Sequence, residues 1–334
     1  MVGNCRICPE CKLPNFLGLL YLTNKMNKQF LLSISILTLM VTTFVWCNQR
    51  VLTASDRQRV EKPELYVQLY SVREEGKKDF QSPIQSVVGI RYTGVESADY
   101  KDGKFYDLTP GEFKDKIESV GMKVLSSHAG RSLNRENPAS TDWVSIWKWR
   151  DTAIAAHKAA GTEYLITASM PRITSLKHLK VYCDYYNEIG RKCKEQGIRF
   201  GYHNHAFEYV EFDGVTWYDY MIENTDPDLV LYQMDVYWTV KGGKRPVEYF
   251  KKYPGRFEIL HIKDEKELGE SGMVGFDAIL KSRAIAGTKH LVVEIEKYYF
   301  PPFKVSSLDM ITLLIFYLPS IEHVSDSTHS YVMG

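Results

Sequence analysis

Short apolar segments recur along the chain from residue 64 onward, and longer amphipathic segments with charged faces separate them. Short runs rich in Val, Ile, Tyr and Phe are typical of β-strands, whereas apolar residues at helical spacing are typical of amphipathic helices. The pattern predicts eight strands, in the segments ELYVQLYSV (64–72), YTGVESA (92–98), MKVLSSHAG (122–130), EYLITASM (163–170), IRFGYHNHAF (198–207), LVLYQMDVYW (229–238), FEILHIKDE (257–265) and HLVVEIEKY (290–298).

The segments between these strands carry start and stop signals of helices. LTPGEFKDKIESVG (108–121) opens with Thr–Pro and closes with glycine, and the stretches that end at Gly161 and Gly197 close in the same way. Strands that alternate with helices form βαβ units and a parallel sheet. Eight units predict a (β/α)₈ TIM barrel over residues 64–302. A doubly wound sheet is the alternative, but this chain lacks the glycine-rich loop that usually follows the first strand of that fold.

The first fifty residues differ from the rest of the chain. MNKQFLLSISILTLMVTTFVWC (26–47) has the layout of a secretory signal, with Lys28 before an unbroken apolar run. We therefore expect export to a bacterial periplasm or cell envelope, or a cytoplasmic location where the segment is not a signal. Cys47 is a candidate lipoprotein cysteine, although TFVWC lacks the usual small residues, and an uncleaved membrane anchor is the alternative. We interpret residues 1–25, which contain CRICPEC, as a mis-assigned start.

The C-terminal segment 303–334 replaces the amphipathic last helix that a barrel requires. Its middle, MITLLIFYLPSI, is apolar on all sides and contains Pro319. Two explanations remain open: a frame change in the gene near Phe303, or a divergent helix that is buried against the barrel or against another copy of the chain. An oligomer is thus compatible with the sequence.

Composition narrows the class of protein. The chain has 334 residues, 44% of them hydrophobic and 25% charged, and its formal net charge is +1. A near-neutral chain without a basic block is not typical of a nucleic-acid-binding protein. Cys183 and Cys193 lie in a predicted helix and need not be bridged.

Polar residues follow the predicted strands at the ends that form the mouth of a barrel, where functional side chains of this fold are found. They are His128, His203, His205, Glu208, Asp235, His261, Lys263, Asp264, Glu294 and Glu296. A carboxylate within an apolar strand needs a cation or hydrogen-bond donors. Imidazole and carboxylate together suit Mn²⁺, Co²⁺ or Zn²⁺ better than Mg²⁺ or Ca²⁺. We therefore expect one divalent metal ion, held by His203, Asp235, His261 and Glu294; a metal-free hydrogen-bonded network is the alternative.

The order of short motifs along the strands resembles the xylose isomerase-like TIM-barrel superfamily, the sugar phosphate isomerase/epimerase group. The motifs are LYSVRE (69–74), YTGVE (92–96), SSHAG (126–130), GYHNHAFEY (201–209), MDVYW (234–238), HIKD (261–264) and VVEIE (292–296). The resemblance implies a metal ion bound on strands 5 to 8, and Asp235, His261 and Glu294 match three of its four ligands. His203 stands where the ketose 3-epimerases have glutamate. The YHNH form is closer to a branch with inosose dehydratases and with lyases or hydratases of 3-keto-glycosides.

The resemblance also implies the chemistry, which is removal of a proton next to a carbonyl. Glu294 is then expected to transfer the proton, with His205 or Glu208 as a second acid or base and Lys263 on a substrate oxygen; a surface position beside Asp264 is the alternative for Lys263. Residues expected to bind the sugar are His128, Trp238, Tyr202 and Glu296. The leading hypothesis is a metal-dependent isomerase or epimerase of a keto-sugar. The alternatives are a lyase or dehydratase of a 3-keto-glycoside or inosose, and a non-catalytic carbohydrate-binding protein of the cell envelope.

Overall fold

A computed structural model describes residues 64–76, 79–90 and 92–299. Within this part of the chain, eight parallel strands close into a barrel in which each strand pairs with the next and β1 pairs with β8. The strands are β1 (Glu64–Gln68), β2 (Gly94–Ser97), β3 (Lys123–His128), β4 (Tyr164–Thr167), β5 (Arg199–His203), β6 (Val230–Asp235), β7 (Ile259–Ile262) and β8 (His290–Val293). The predicted (β/α)₈ barrel is confirmed.

Helices connect the strands on the outside of the barrel. They are α1 (Arg73–Gly76), α2 (Gln81–Gly89), α3 (Pro110–Glu118), α4 (Trp143–Ala159), α5 (Leu176–Glu195), α6 (Trp217–Glu223), α7 (Val236–Lys241), α8 (Pro246–Lys252), α9 (Phe276–Lys281) and α10 (Arg283–Ala286). Thr109 and Glu112 form a reciprocal capping box at the start of α3. Gly161 and Gly197, after α4 and α5, adopt positive φ angles of 74° and 71°, which glycine adopts without a steric penalty. The start and stop signals in the sequence therefore reflect real helix ends.

The strands are shorter than the apolar segments because polar side chains end them at the mouth. The side chain of Gln68 accepts a hydrogen bond from the backbone N–H of Tyr70 at 3.1 Å, and the chain turns into a 3₁₀ helix, Leu69–Val72. Asp235 accepts one from the N–H of Trp238 at 2.8 Å and caps α7. The residues that terminate the strands are thus residues of the mouth.

Alternation along the strands separates an inner from an outer core. The inner cluster is small and consists of Tyr66, Leu125, Tyr164, Ile166, Leu231, Ile259 and Val292. Gly201 faces it on β5, where a Cβ atom would lie 2.7 Å from Ile166 and from Leu231. Tyr202, the next residue, belongs to the larger outer cluster between the sheet and the helices. His203 therefore shares the inner face with Gly201.

The predicted signal segment, Cys47, the Cys5–Cys8–Cys11 run and the 303–334 tail lie outside the described residues. In the described ranges, no helix has both the length and the apolar character that crossing a bilayer requires. Cys183 and Cys193 are free and buried in α5.

Candidate metal centre

Four side chains predicted as metal ligands meet at the mouth of the barrel, and all four are buried. One ligand atom each of His203, Asp235, His261 and Glu294 lies within 4.8 Å of the other three. The strand register explains this meeting, because Asp235 on β6 is directly opposite His261 on β7. Glu294 follows β8, and its backbone N–H donates to Ile262 on β7 at 3.2 Å. Four neighbouring strands thus bring the four groups together.

The donor set fits a divalent cation. The Oδ2 atom of Asp235 is buried and has no hydrogen-bond partner among the described residues. Burial raises the pKa of this carboxyl to about 7, although Lys263 and His261 act in the opposite direction. A buried carboxylate oxygen without a donor is costly, and a bound cation removes that cost. Two imidazoles with two carboxylates are the ligands that Mn²⁺, Co²⁺ or Zn²⁺ takes.

A third buried carboxylate of this site, Glu96 at the end of β2, is absent from the site residues that the sequence predicts. It accepts hydrogen bonds from four groups: Gln68 Nε2 (2.7 Å), Ser126 Oγ (2.5 Å), Gln233 Nε2 (2.6 Å) and His261 Nε2 (2.6 Å). A carboxylate at the end of the apolar strand YTGVESA is the same signal that identifies Asp235. The sequence could therefore have identified Glu96 as a buried carboxylate. It could not have identified the hydrogen-bond partners of Glu96, because they come from four different strands.

Glu96 orients both histidines that are predicted as metal ligands. It holds Nε2 of His261, so that Nδ1 of the same ring faces Glu294 at 3.2 Å. Because Gln233 donates its Nε2 to Glu96, its Oε1 is left to accept from Nδ1 of His203 at 3.1 Å. The Nε2 atom of His203 then faces Asp235, 4.0 Å from Oδ2. Outer hydrogen bonds of this kind fix the tautomer and the orientation of metal-binding histidines.

The charges of the cluster compensate one another. Burial disfavours the charged forms of His261 and Glu96, yet their contact, with help from Glu294 and His128, raises the pKa of His261 to about 10 and holds that of Glu96 well below its usual range. Burial raises the pKa of Glu294, but Lys263 and His261 outweigh burial and lower this pKa to about 2. In His203, burial, reinforced by His261 and His128, holds the pKa well below its usual range. The imidazole of His203 is therefore neutral, which is the form that can bind a metal ion through a ring nitrogen.

Lys263 is buried within the site. Its side chain is 2% exposed, and Nζ lies 3.3 Å from Oε2 of Glu294 and 2.6 Å from Oε1 of Glu296. Burial lowers the pKa of this ammonium group, but Glu294, Asp235 and Glu296 outweigh burial and raise it. The alternative that Lys263 is a surface lysine is therefore wrong. A cation in this position faces two carboxylates of the mouth.

A cavity of about 440 Å³, which we call the mouth cavity, opens above the cluster. Its lining includes Tyr70, His128, His203, His205, Glu294 and Glu296. Sites for small molecules have volumes in this range. His128 also contacts the network below, with Nε2 2.9 Å from Gln233 Oε1 and 3.0 Å from Glu96 Oε1. Of the predicted site residues, His128, His203, His205, Glu294 and Glu296 thus border one space.

Three predicted residues lie elsewhere. Tyr202 points out of the barrel and packs against Tyr186 of α5, with ring centroids 5.5 Å apart. Its hydroxyl donates to Glu208 at 2.7 Å, and the other oxygen of Glu208 accepts the N–H of His205 at 2.8 Å. Both carboxylate oxygens are thus used to shape the loop after β5. Trp238 packs on His205, with ring centroids 5.6 Å apart, and does not line the mouth cavity.

The fold and the polar cluster at the mouth define the class of protein as a TIM barrel with an enzyme-like site. The sequence profile of the xylose isomerase-like TIM barrel family matches residues 86–310, and the chain belongs to this family. Two solved sugar phosphate isomerase/epimerases of Parabacteroides distasonis ATCC 8503 are similar to it. They are 32% and 28% identical, with TM-scores of 0.70 and 0.72, over 77% and 80% of this chain and 99% of each of theirs.

Among curated proteins, the chain is similar to the inosose dehydratase of Geobacillus kaustophilus, with 23% identity over 178 residues. That match covers 48% of this chain and 56% of the dehydratase, so the chain spans little more than half the length of this relative. The superfamily is one of enzymes, and it includes both sugar isomerases or epimerases and inosose dehydratases.

Proposed function

We propose that this protein is a divalent-metal-dependent carbon–oxygen lyase that removes a proton next to the carbonyl of a keto-sugar. The observation that carries the proposal is the pairing of Glu294, an ionised carboxylate on the mouth cavity, with the buried Lys263 at 3.3 Å. His203, Asp235, His261 and Glu294 would hold the metal ion, which when bound polarises the carbonyl of the substrate.

The reaction uses Glu294 as the base and Lys263 as the acid in one step. Glu294 takes the proton from the carbon next to the carbonyl, and the electrons of that C–H bond form a C=C bond as the neighbouring C–O bond breaks. The departing oxygen takes a proton from Lys263. The products are an unsaturated ketone and either water, from an inosose, or an alcohol, from a 3-keto-glycoside. No oxidant or reductant is consumed.

The residues of strand β5 and of the loop that follows it favour elimination over epimerisation. Epimerisation requires acid–base groups on both faces of the substrate carbon. His203 has its Nδ1 atom committed to Gln233, and both oxygens of Glu208 are hydrogen-bonded away from the mouth cavity. Glu294 therefore serves one face, and His205, which also lines the mouth cavity, would bind the substrate. Elimination needs proton removal from one face only.

An isomerase or epimerase is the second candidate. The observation that favours it is the similarity to the two Parabacteroides distasonis proteins, whose names give that activity. An aldose–ketose isomerisation also starts with proton removal next to a carbonyl. The two candidates therefore share the first step and differ in whether a C–O bond then breaks.

Proton NMR in D₂O separates the candidates. Mn²⁺-loaded protein would be incubated with 3-keto-glucosides, inososes and keto-hexoses, and EDTA would stop the reaction before spectra are recorded. A new vinylic signal with loss of water or alcohol is the expected result. Deuterium in a rearranged or inverted sugar would instead establish the isomerase or epimerase.

Two variants complete this experiment. Glu294→Gln should abolish turnover, whereas Glu163→Gln, an exposed carboxylate just before β4, should leave it unchanged. Folded, metal-loaded protein that changes no substrate of the panel would contradict the lyase and favour a carbohydrate-binding barrel without catalysis.

A further inference from the structure

A second groove, mainly apolar and about 360 Å³ in volume, borders the loops that follow β4 and β5. We call it the aromatic groove and define it by Arg172, Ile173, Phe207, Val210, Phe212 and Trp217. It adjoins the mouth cavity through two rings: Phe207 stacks on His205 with centroids 5.9 Å apart and an interplanar angle of 12°. His205 and Phe207 thus form a wall that the mouth cavity and the groove share, and a ligand that reaches over this wall would occupy both.

A small hairpin inserted between β5 and α6 builds one wall of the groove. Its strands are Glu211–Phe212 and Val215–Thr216. Phe212 of this hairpin stacks on Trp217, the first residue of α6, with centroids 5.5 Å apart and an interplanar angle of 26°. Trp217 is 2% exposed and Val210 is 50% exposed. The groove is therefore an open surface on a fixed aromatic floor, since buried packing holds Trp217 in place.

The chemistry of the lining selects the ligand. A second sugar ring has hydroxyl groups that need hydrogen-bond partners, and the lining offers few: Arg172 is its one charged side chain, and the indole N–H of Trp217 is buried. The other side chains are aliphatic or aromatic, and aromatic rings pack favourably on one another in stacked or edge-to-face arrangements. A flat aromatic ring fits this lining better than a hydroxylated ring does.

We propose that the aromatic groove binds the aromatic leaving group of a keto-glycoside, so that the substrates are 3-keto-glycosides with an aromatic aglycone. This inference rests on the proposed elimination. The bond between the anomeric carbon and the aglycone oxygen breaks, the ring carbons form the C=C bond, and the aglycone leaves as an alcohol or phenol after it takes one proton. The sugar occupies the mouth cavity, and the aglycone occupies the groove.

Substrates whose leaving groups have similar acidity test the proposal without a chemical bias. Benzyl, n-hexyl and methyl 3-keto-β-glucosides meet this condition because each loses a primary alkoxide. The metal-loaded wild type should show a KM about tenfold lower for the benzyl than for the methyl substrate, from burial of one ring. The n-hexyl substrate should show a smaller decrease in KM relative to the methyl substrate, because a flexible chain loses conformational freedom when it is bound.

Two variants change the groove at positions that differ in burial. Phe212→Ala removes one wall, and Val210→Asp places a carboxylate on an exposed edge where folding is not at risk. Both should remove most of the benzyl-to-methyl preference. Ile285→Ala is the control, since Ile285 is an exposed apolar residue shortly before β8, at the opposite end of the barrel, and the preference should persist in this variant.

The outcomes separate the inference from the proposed function. Two results would overturn the aromatic subsite and leave the lyase intact. One is turnover with equal KM for the benzyl and methyl substrates; the other is an equal decrease in KM, relative to the methyl substrate, for the benzyl and n-hexyl substrates. If no substrate turns over, the lyase fails, and saturation-transfer NMR with unoxidised benzyl β-glucoside decides the groove by itself. Contact of the phenyl protons in the wild type that is lost in Phe212→Ala supports the site; no contact in the wild type refutes it.

Discussion

Nε2 of His261 lies 2.6 Å from Oε1 of Glu96, and both side chains are fully buried. Two strands, β8 and β1, separate β7 from β2 around the barrel, so this hydrogen bond crosses the mouth. The same carboxylate reaches His203 through Gln233. Glu96, on the half of the barrel without a predicted metal ligand, thus holds two predicted ligands of the other half.

Glu96→Gln should weaken metal binding about 10- to 100-fold, because an amide cannot accept at both oxygen positions and leaves His261 without its partner. Competition with a chelator of known affinity measures this change for Mn²⁺ or Zn²⁺. Glu163→Gln, which removes an exposed carboxylate outside the cluster, is the matched control. Wild-type affinity in Glu96→Gln would show that the outer contact does not position the ligands.

His203 and His205 should differ in what their loss abolishes. His203→Ala should lose stoichiometric metal, because its Nε2 atom belongs to the buried cluster. His205→Ala should keep the metal and lose turnover, because His205 lines the mouth cavity outside the four-ligand cluster, where burial lowers the pKa of its imidazole to about 4. Metal analysis of dialysed protein, together with kinetics, checks both. The reverse pattern would exchange the two roles.

Lys263→Met should lower kcat about 10²- to 10⁴-fold while the metal stays bound. Methionine keeps most of the buried stem but removes the ammonium group between Glu294 and Glu296. Steady-state kinetics and metal content on the same preparation test this. A normal kcat would mean that another group protonates the leaving oxygen.

Metal binding should raise the thermal stability of the barrel. Free metal at about a hundredfold above its Kd adds about 2.7 kcal/mol, which corresponds to a rise of several degrees in Tm. In Asp235→Asn the metal-induced rise should disappear, while the metal-free Tm should not fall, since a buried oxygen without a donor is replaced by a neutral amide. Calorimetry with and without EDTA measures both; a full metal-induced rise in the variant would exclude Asp235 as a ligand.

His157 should make the fold less stable in acid. Its ring is buried between Tyr100 and Phe105, and burial lowers its pKa to about 4. In the unfolded chain the pKa is about 6.5, so only the unfolded state takes up a proton between these values. The contribution of neutral His157 to the free energy of unfolding is complete above about pH 6.5. It falls by about 3 kcal/mol in total as the pH drops to about 4.

His157→Asn keeps a donor near the carbonyl of Ala153, the partner of Nδ1, but cannot take up the proton. Urea unfolding at about pH 7 and about pH 4.5 should therefore show a smaller loss of unfolding free energy in the variant. Parallel losses in the two proteins would assign the acid sensitivity to other groups.

The sequence by itself determined the barrel and most of its metal-binding candidates. Strand and helix periods, caps such as Thr109 and stops such as Gly197 are local properties, and local interactions decide them. Asp235 and Glu294 stand out because a carboxylate within an apolar strand needs a partner wherever the strand lies.

Only the tertiary structure decided which neighbours each side chain meets. The sequence predicts Tyr202 at the substrate, but one step along β5 turns it outward to α5, and the same step turns His203 inward. Glu96 gains its role from partners on β1, β3, β6 and β7, which are far apart in sequence. Periodicity gives the face of a strand, but closure of the barrel decides which of its strands meet across the mouth.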